Sequence, residues 1–411
     1  VGGESALLLG LAAADLEELF QLRPDLSART VAEMSRGLAG PPAGRLDLPG
    51  QPGTLAVRVE SDAEVPARLV VSDALGVWRD LPLGVLRKGD NRVELDLRAP
   101  AGRSGKVAYP LSLRGLVANS PTGLRLAGVS VDGRAVPVPP ASDDVPGVAA
   151  FGPLRQLGAL PVVLTADLAG TLKLGAGQSG RVGVAGRALE VTVVAVVDSM
   201  PTAGAGQRAL LADLETLQAH ELAAARPPLP VTEWWLAAAD TTPARTTLRA
   251  HPEWDVTAVD QRELAAELRD DPLASGLQGA LMLGFAAALG FATLGFLVNG
   301  AVAARERRAE FAVLRALGTG SRQMFGLLAV EQAFVIGLSL AAGTGLAVAV
   351  GTLVVPHIVL TGQASAVTPG VLLEIPWGAA AALLAATTAV LFAIVAALAR
   401  RLRRGHVLED R

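Results

Sequence analysis

The clearest pattern along the chain is the segregation of its apolar residues towards one end. Residues 277–303 carry no charge, 325–355 carry only Glu331, and 377–399 open on Trp377 and carry none. At 1.5 Å per helical residue the first run reaches about 40 Å, more than the roughly 30 Å hydrocarbon core of a bilayer. The three runs predict three transmembrane helices. Upstream the period changes to two. Apolar residues alternate at Leu55, Val57 and Val59, at Leu69 and Val71, at Val93, Leu95 and Leu97, and at Leu111 and Leu113. Turn residues such as Gly89-Asp90-Asn91 and Val131-Asp132-Gly133 separate these runs. Such a pattern predicts an antiparallel β-sandwich over 45–137, with Trp78 and Tyr109 as core residues.

Pro137-Val138-Pro139-Pro140 and the acidic, small residues up to Gly147 read as a linker. Beyond it, Leu189 to Val197 becomes apolar on both faces and predicts a central strand. A helix at 207–224, strands at Val231–Ala237 and Trp254–Val259, and helices near 243–250 and 260–270 complete an α/β or α+β unit. Residues 1–40 show short helical pieces. The expected organisation is therefore a multidomain membrane protein. Residues 1–44 end an upstream ectodomain segment, 45–140 form an extracellular β-sandwich-like module, 150–270 form an extracellular α/β domain, and 271–411 form a membrane domain of three transmembrane α-helices.

The loops orient the helices. Asp270 and Asp271 precede the first run, whereas Arg305, Arg307, Arg308, Arg315 and Arg322 lie between the first and second. The loop between the second and third holds Glu374 and His357 but no Lys or Arg, and Arg400, Arg401, Arg403 and Arg404 follow the third. Basic clusters stay on the cytoplasmic side, so residues 1–270 are expected outside a plasma membrane. Residue 1 is Val and no basic-then-apolar leader follows it, which reads as the C-terminal part of a longer chain with at least one upstream membrane helix.

Bulk composition alone hides this membrane region: net charge is −3, pI is about 5.9 and mean hydropathy is +0.42. Only Lys88, Lys106 and Lys173 stand among 36 basic residues, a bias that fits a GC-rich bacterial genome. No basic stripe interleaved with aromatics occurs, which argues against nucleic-acid binding. Cysteine is absent, and His220, His251, His357 and His406 are scattered singly. Neither thiolate chemistry nor a metal-ligand spacing is legible, no G-x-x-x-x-G-K-[ST] occurs, and a non-catalytic protein without cofactor is expected. Two features of the membrane runs stay open in meaning. Ala280, Gly284, Ala288 and Ala292, like Ala341, Gly345 and Ala349, form small-residue faces suited to helix contact or to coding bias. Glu331 is either an intramembrane functional carboxylate or one that reaches the interface or a nearby Arg.

The segment between the first two runs carries the most information. Residues 305–317 are good helix formers, Gly318 is a natural stop, and Phe311, Val313, Leu314 and Leu317 share a broad arc interrupted by Glu306 and Glu310. Amphipathicity of this kind suits a membrane surface or a groove on a partner. The run Arg305-Glu306-Arg307-Arg308-Ala309-Glu310-Phe311-Ala312-Val313-Leu314-Arg315-Ala316-Leu317-Gly318, then Ser321-Arg322-Gln323 and Glu331, resembles the signature of FtsX-like (MacB-like) ABC-transporter permeases. That signature runs as an Arg-rich turn, E-x-x-x-L-R-A-L-G, a small polar link, R-Q and a Glu early in the next helix.

The resemblance covers about 277–411. It implies a permease or transmission subunit whose Arg305, Glu306, Glu310, Leu314, Arg315, Leu317, Gly318 and Arg322 couple to an ABC ATPase subunit. It also implies a second permease unit, upstream in the same chain or in a dimer, besides the lipid bilayer. The α/β domain before the first run is similar to the porter-like part of MacB-type ectodomains. Export or release of a peptide, lipid or lipoprotein-like substrate follows as the implied output. Control of a cell-wall hydrolase or envelope signalling through the same machinery, and membrane-anchored glycan binding without an ATPase, are the alternatives.

Overall fold

The computed structural model describes residues 6–41, 43–98, 107–152, 154–184, 186–204, 206–269, 272–306, 321–358, 369–370 and 372–405. The chain divides into two units, Val1–Ala237 and Ala238–Arg411.

The first unit opens with strand β1 (Leu7–Leu11) and helices α1 (Leu16–Leu19) and α2 (Val31–Leu38). Helix α2 starts at a full capping box. The Glu33 backbone N–H donates to Thr30 Oγ1 at 3.3 Å, and the Thr30 N–H donates to the Glu33 carboxylate at 2.9 Å. Its buried Met34 and Leu38, one turn apart, face inward.

Ten strands follow: β2 (Leu46–Asp47), β3 (Thr54–Ser61), β4 (Val65–Ser72), β5 (Trp78–Leu86), β6 (Gly89–Asp96), β7 (Ser112–Ala118), β8 (Leu124–Val131), β9 (Arg134–Val136), β10 (Ser142–Val145) and β11 (Val148–Ala150). They form two antiparallel sheets, one ordered β10-β11-β7-β4-β5 with β2 also on β7, the other β6-β3-β8-β9. The alternating residues Leu55, Val57 and Val59 of β3 meet Leu69 and Val71 of β4 and Leu113 and Leu116 of β7 in one buried core.

The chain then forms β12 (Leu160–Thr165), α3 (Ala166–Leu172), β13 (Ser179–Val184), β14 (Arg187–Val197), β15 (Ala209–Asp213) and α4 (Leu214–Ala223). The sheet order is β1-β15-β12-β14-β13. Strand β14, apolar on both faces, has neighbours on both sides, parallel β12 and antiparallel β13. One cluster on this sheet gathers Leu160, Val162, Leu164, Leu168 and Leu217; another gathers Leu9, Phe20, Met34, Val163 and Leu211.

Five stretches differ from the reading of the sequence, one of them the expected linker, whose Ser142–Val145 forms β10 and pairs with β11. The N-terminal piece is not solely helical: Leu7–Leu11 pairs in parallel with Ala209–Asp213, so residues 7–38 share a core with 160–222, and the sandwich is inserted between them. A five-residue apolar run has no helical period, and its pairing partner lies about two hundred residues away, beyond the reach of local pattern. The stretch read as a helix at 207–224 begins as β15, whose five residues are all buried. Asp213 then ends the strand and caps α4, accepting the Thr216 N–H at 2.8 Å. Residues 231–237 and 255–259 form no strand.

The sandwich is joined to its host through a narrow neck. Gly44 on the way in and Phe151 on the way out are so close that a Cβ on Gly44 would stand 1.6 Å from the Phe151 carbonyl oxygen. Only glycine fits there.

The second unit contains α5 (Thr242–Ala250), α6 (Gln261–Arg269), α7 (Pro272–Glu306), α8 (Ser321–Ile358) and α9 (Trp377–Gly405). Ion pairs link the first two: Arg245 reaches Asp260 at 3.6 Å and Glu263 at 3.2 Å, and Arg249 reaches Glu263 at 3.5 Å. Within α7 and α8 the stretches Ser275–Asn299 and Ala333–Val354 are long and apolar enough to cross a membrane, and a shorter apolar stretch, Trp377–Val390, opens α9. None of the side chains described in Ser275–Asn299 is buried within the chain.

Candidate functional site

The candidate coupling segment lies between α7 and α8. Helix α7 runs past its apolar stretch to Arg305 and Glu306, its last described residues. Helix α8 is described from Ser321, with Arg322 as its second described residue. Glu310, Leu314, Arg315, Leu317 and Gly318 lie outside the described residues. Among the described residues, Arg305 and Glu306 thus close α7 and Arg322 lies next to the start of α8.

Glu331 sits ten residues after Ser321, about 15 Å along α8. It is half-buried and lies two residues before the apolar stretch that starts at Ala333. That places it at the margin of the span.

A second group of polar side chains, unread in the sequence, fastens the sandwich to the α/β sheet. Arg114 in the middle of β7 is only 5% exposed. Its Nε donates to Ser72 Oγ at 2.8 Å, and its Nη1 donates to the Ala43 carbonyl at 3.3 Å and to the Glu215 carboxylate of α4 at 2.8 Å. The guanidinium also lies 4.7 Å from the centre of the Trp78 ring. Burial pulls Arg114 down from its ordinary pKa, and Glu215 pushes it back.

Around this arginine, Val70, Trp78, Val117 and Val148 of the sandwich pack with Leu154 and with Leu222 of α4. Trp78 is therefore buried as expected, but between the modules instead of inside the sandwich. Arg68 adds a second tie, donating to the Ala225 carbonyl at 2.7 Å while pairing with Asp80 at 3.2 Å. Burial raises the Asp80 pKa, and Arg68 opposes the rise. The legible signal was a lone arginine inside Leu111-Ser-Leu-Arg-Gly-Leu-Val, where a buried strand otherwise tolerates no charge without a partner.

Among the described residues no group of three or more His, Cys, Asp or Glu side chains is placed to hold a metal ion.

No curated protein matches the chain. Residues 282–406, covering most of α7 and all of α8 and α9, match the FtsX-like permease C-terminal family. Members of that family are non-catalytic membrane subunits of ABC transporters that work with an ATPase partner. Residues 282–406 thus form an FtsX-like permease C-terminal domain, and with helices apolar enough to cross a bilayer the chain is a membrane protein.

Proposed function

We propose that this chain transmits ATP-driven movement from a cytoplasmic ATPase subunit to an ectodomain on the other side of a bacterial plasma membrane. The family match over 282–406 is the observation that carries this reading. In it, α9 is the third span after α7 and α8, and residues 1–270 are extracellular. The arginines on the 304–324 side, against a basic-free loop at 356–376, support that orientation. Residues 305–322 form the contact with the ATPase: Glu310, Leu314, Arg315, Leu317 and Gly318 provide the seat, with Arg305, Glu306 and Arg322 at its margins. The α/β sheet and the sandwich then act on a peptide, lipid or lipoprotein-like substrate outside, alongside a second permease unit.

The test is co-purification of the full chain with its ATPase. Leu314→Asp and Arg315→Glu are each expected to remove about 2 kcal/mol or more, roughly a 30-fold weaker association, with ATPase stimulation lost in parallel. Unchanged association and stimulation in both variants refutes the reading.

A further inference from the structure

The α/β sheet ends on a strand whose composition makes an open edge costly. Strand β1 reads Leu-Leu-Leu-Gly-Leu, and among the described residues no strand lies beyond it in the sheet. A bare apolar edge offers a row of backbone N–H and C=O groups to any passing strand and is normally charged, shortened or covered. The opposite edge, β13, is built differently, with Ser179, Gly180 and Arg181 leading it.

The segment that leaves the sheet for the membrane helices packs on the same clusters as this strand. Leu229 is fixed at its start: the Gln218 side chain of α4 accepts its N–H at 2.9 Å and donates to its carbonyl at 2.9 Å. Leu229 packs, with Leu8 of β1, on the cluster that holds Leu160, Leu164 and Leu217. Six residues later Trp235 packs, with Leu7 and Leu11 of β1, on the cluster that holds Leu9, Phe20 and Met34. A run that starts with one cluster and ends with the other crosses from one face of the sheet to the other. Strand β1 contributes to both clusters and β13 to the first alone.

Val231-Thr-Glu-Trp-Trp-Leu-Ala is rich in strand-forming residues, yet it joins no ladder, and Trp234 and Leu236 are 59% and 71% exposed. Its length also fits: seven extended residues reach about 23 Å, enough to cover the roughly 17 Å of a five-residue strand. We propose that the open edge of β1 is a strand-docking site whose occupant is residues 231–237 of the same chain, added to the sheet as its sixth strand. The chain continues from Ala237 into α5, α6 and α7.

The absence of cysteine makes the test clean. In the full chain in membranes, Leu8→Cys, which shares a face with alternate residues 232, 234 and 236 when Trp235 packs beside Leu7 and Leu11, is combined in turn with Thr232→Cys, Trp234→Cys or Leu236→Cys, and oxidised. Docking brings at least one pair within the 4.4–6.8 Å Cα separation a disulfide needs, giving a bridge inside one chain. Arg181→Cys on β13 with the same partners stays unbridged. Bridges only between chains mean that β1 takes a second copy, and bridging by no pair means an open edge; either overturns the proposal. Hydrogen exchange on the unsubstituted chain provides a check independent of the variants. Amides of 231–237 are expected to exchange at least about tenfold more slowly than those of 255–259, and Glu233→Pro is expected to remove that protection and speed β1 as well. Equal, fast exchange in both segments overturns it. Neither measurement involves the ATPase, so its failure is distinct from failure of the coupling reading.

Discussion

The sheet-built unit and the long helices use the same side chains in opposite ways. Leu69, Leu113 and Leu116 of the sandwich are fully buried, whereas Leu281, Leu283, Phe291 and Leu294 of α7 stand outward, as do Phe334 and Leu353 of α8. Water outside the sheets drives leucine inward. A hydrocarbon surround removes that drive, so helices with no buried face are stable there because every backbone group is satisfied internally. Burial measures what a side chain avoids, and the two regions avoid different solvents.

Truncation breaks or sharpens this contrast most strongly. Leu69→Ala, inside the sandwich, is expected to cost about 2–5 kcal/mol in transfer and cavity terms. Leu294→Ala on α7 opens no cavity and is expected to cost under about 1 kcal/mol. Thermal melting of the full chain in detergent compares them, and equal losses would mean that Leu294 packs against protein.

A smaller effect is expected at the joint between sandwich and sheet. Arg114→Ala removes the partner of Ser72, Glu215 and the Trp78 ring; because Glu215 is partly solvated, the loss is set at about 2 kcal/mol. Hydrogen exchange over β7 and α4 reads it, with faster exchange expected at both and none in α7. Unchanged exchange at α4 would show that the apolar contacts alone hold the joint.

The smallest effect is a pH dependence confined to the sheets. The Asp132 carboxylate accepts the Thr54 N–H at 2.8 Å and the Gly53 N–H at 3.1 Å, and chiefly the Thr54 bond holds its pKa below the ordinary carboxylate value. A depressed folded pKa contributes stability that is present above the unfolded value and lost as pH falls through the folded one. Asp132→Asn, which does not titrate, is therefore expected to flatten the acid slope of the melting temperature across that window. An unchanged slope would remove Asp132 from the account.

These contrasts also mark what was legible in the sequence. Leu55-x-Val57-x-Val59 and the uncharged run at 277–303 announce their surroundings because their periods are local. The pairing of Leu7–Leu11 with Ala209–Asp213 was illegible, since nothing in either stretch names a partner so distant. The unpaired run at 231–237 was read as a strand on propensity, a rule that describes side chains and says nothing about whether an edge is occupied. Of the candidate site, the arginine clustering was plain from sequence, whereas the Arg114 joint needed three segments, at 43, 72 and 215, to meet around one side chain.

The neck at Gly44 and Phe151 gives the sandwich a modular character. An insertion whose two ends touch asks its host to close a gap of a few ångströms, so adding or removing it changes loop-closure entropy little. With its own hydrophobic core, the stretch between those residues is an exchangeable cassette. Its outer surface is free to diversify while the α/β sheet that carries it stays the same.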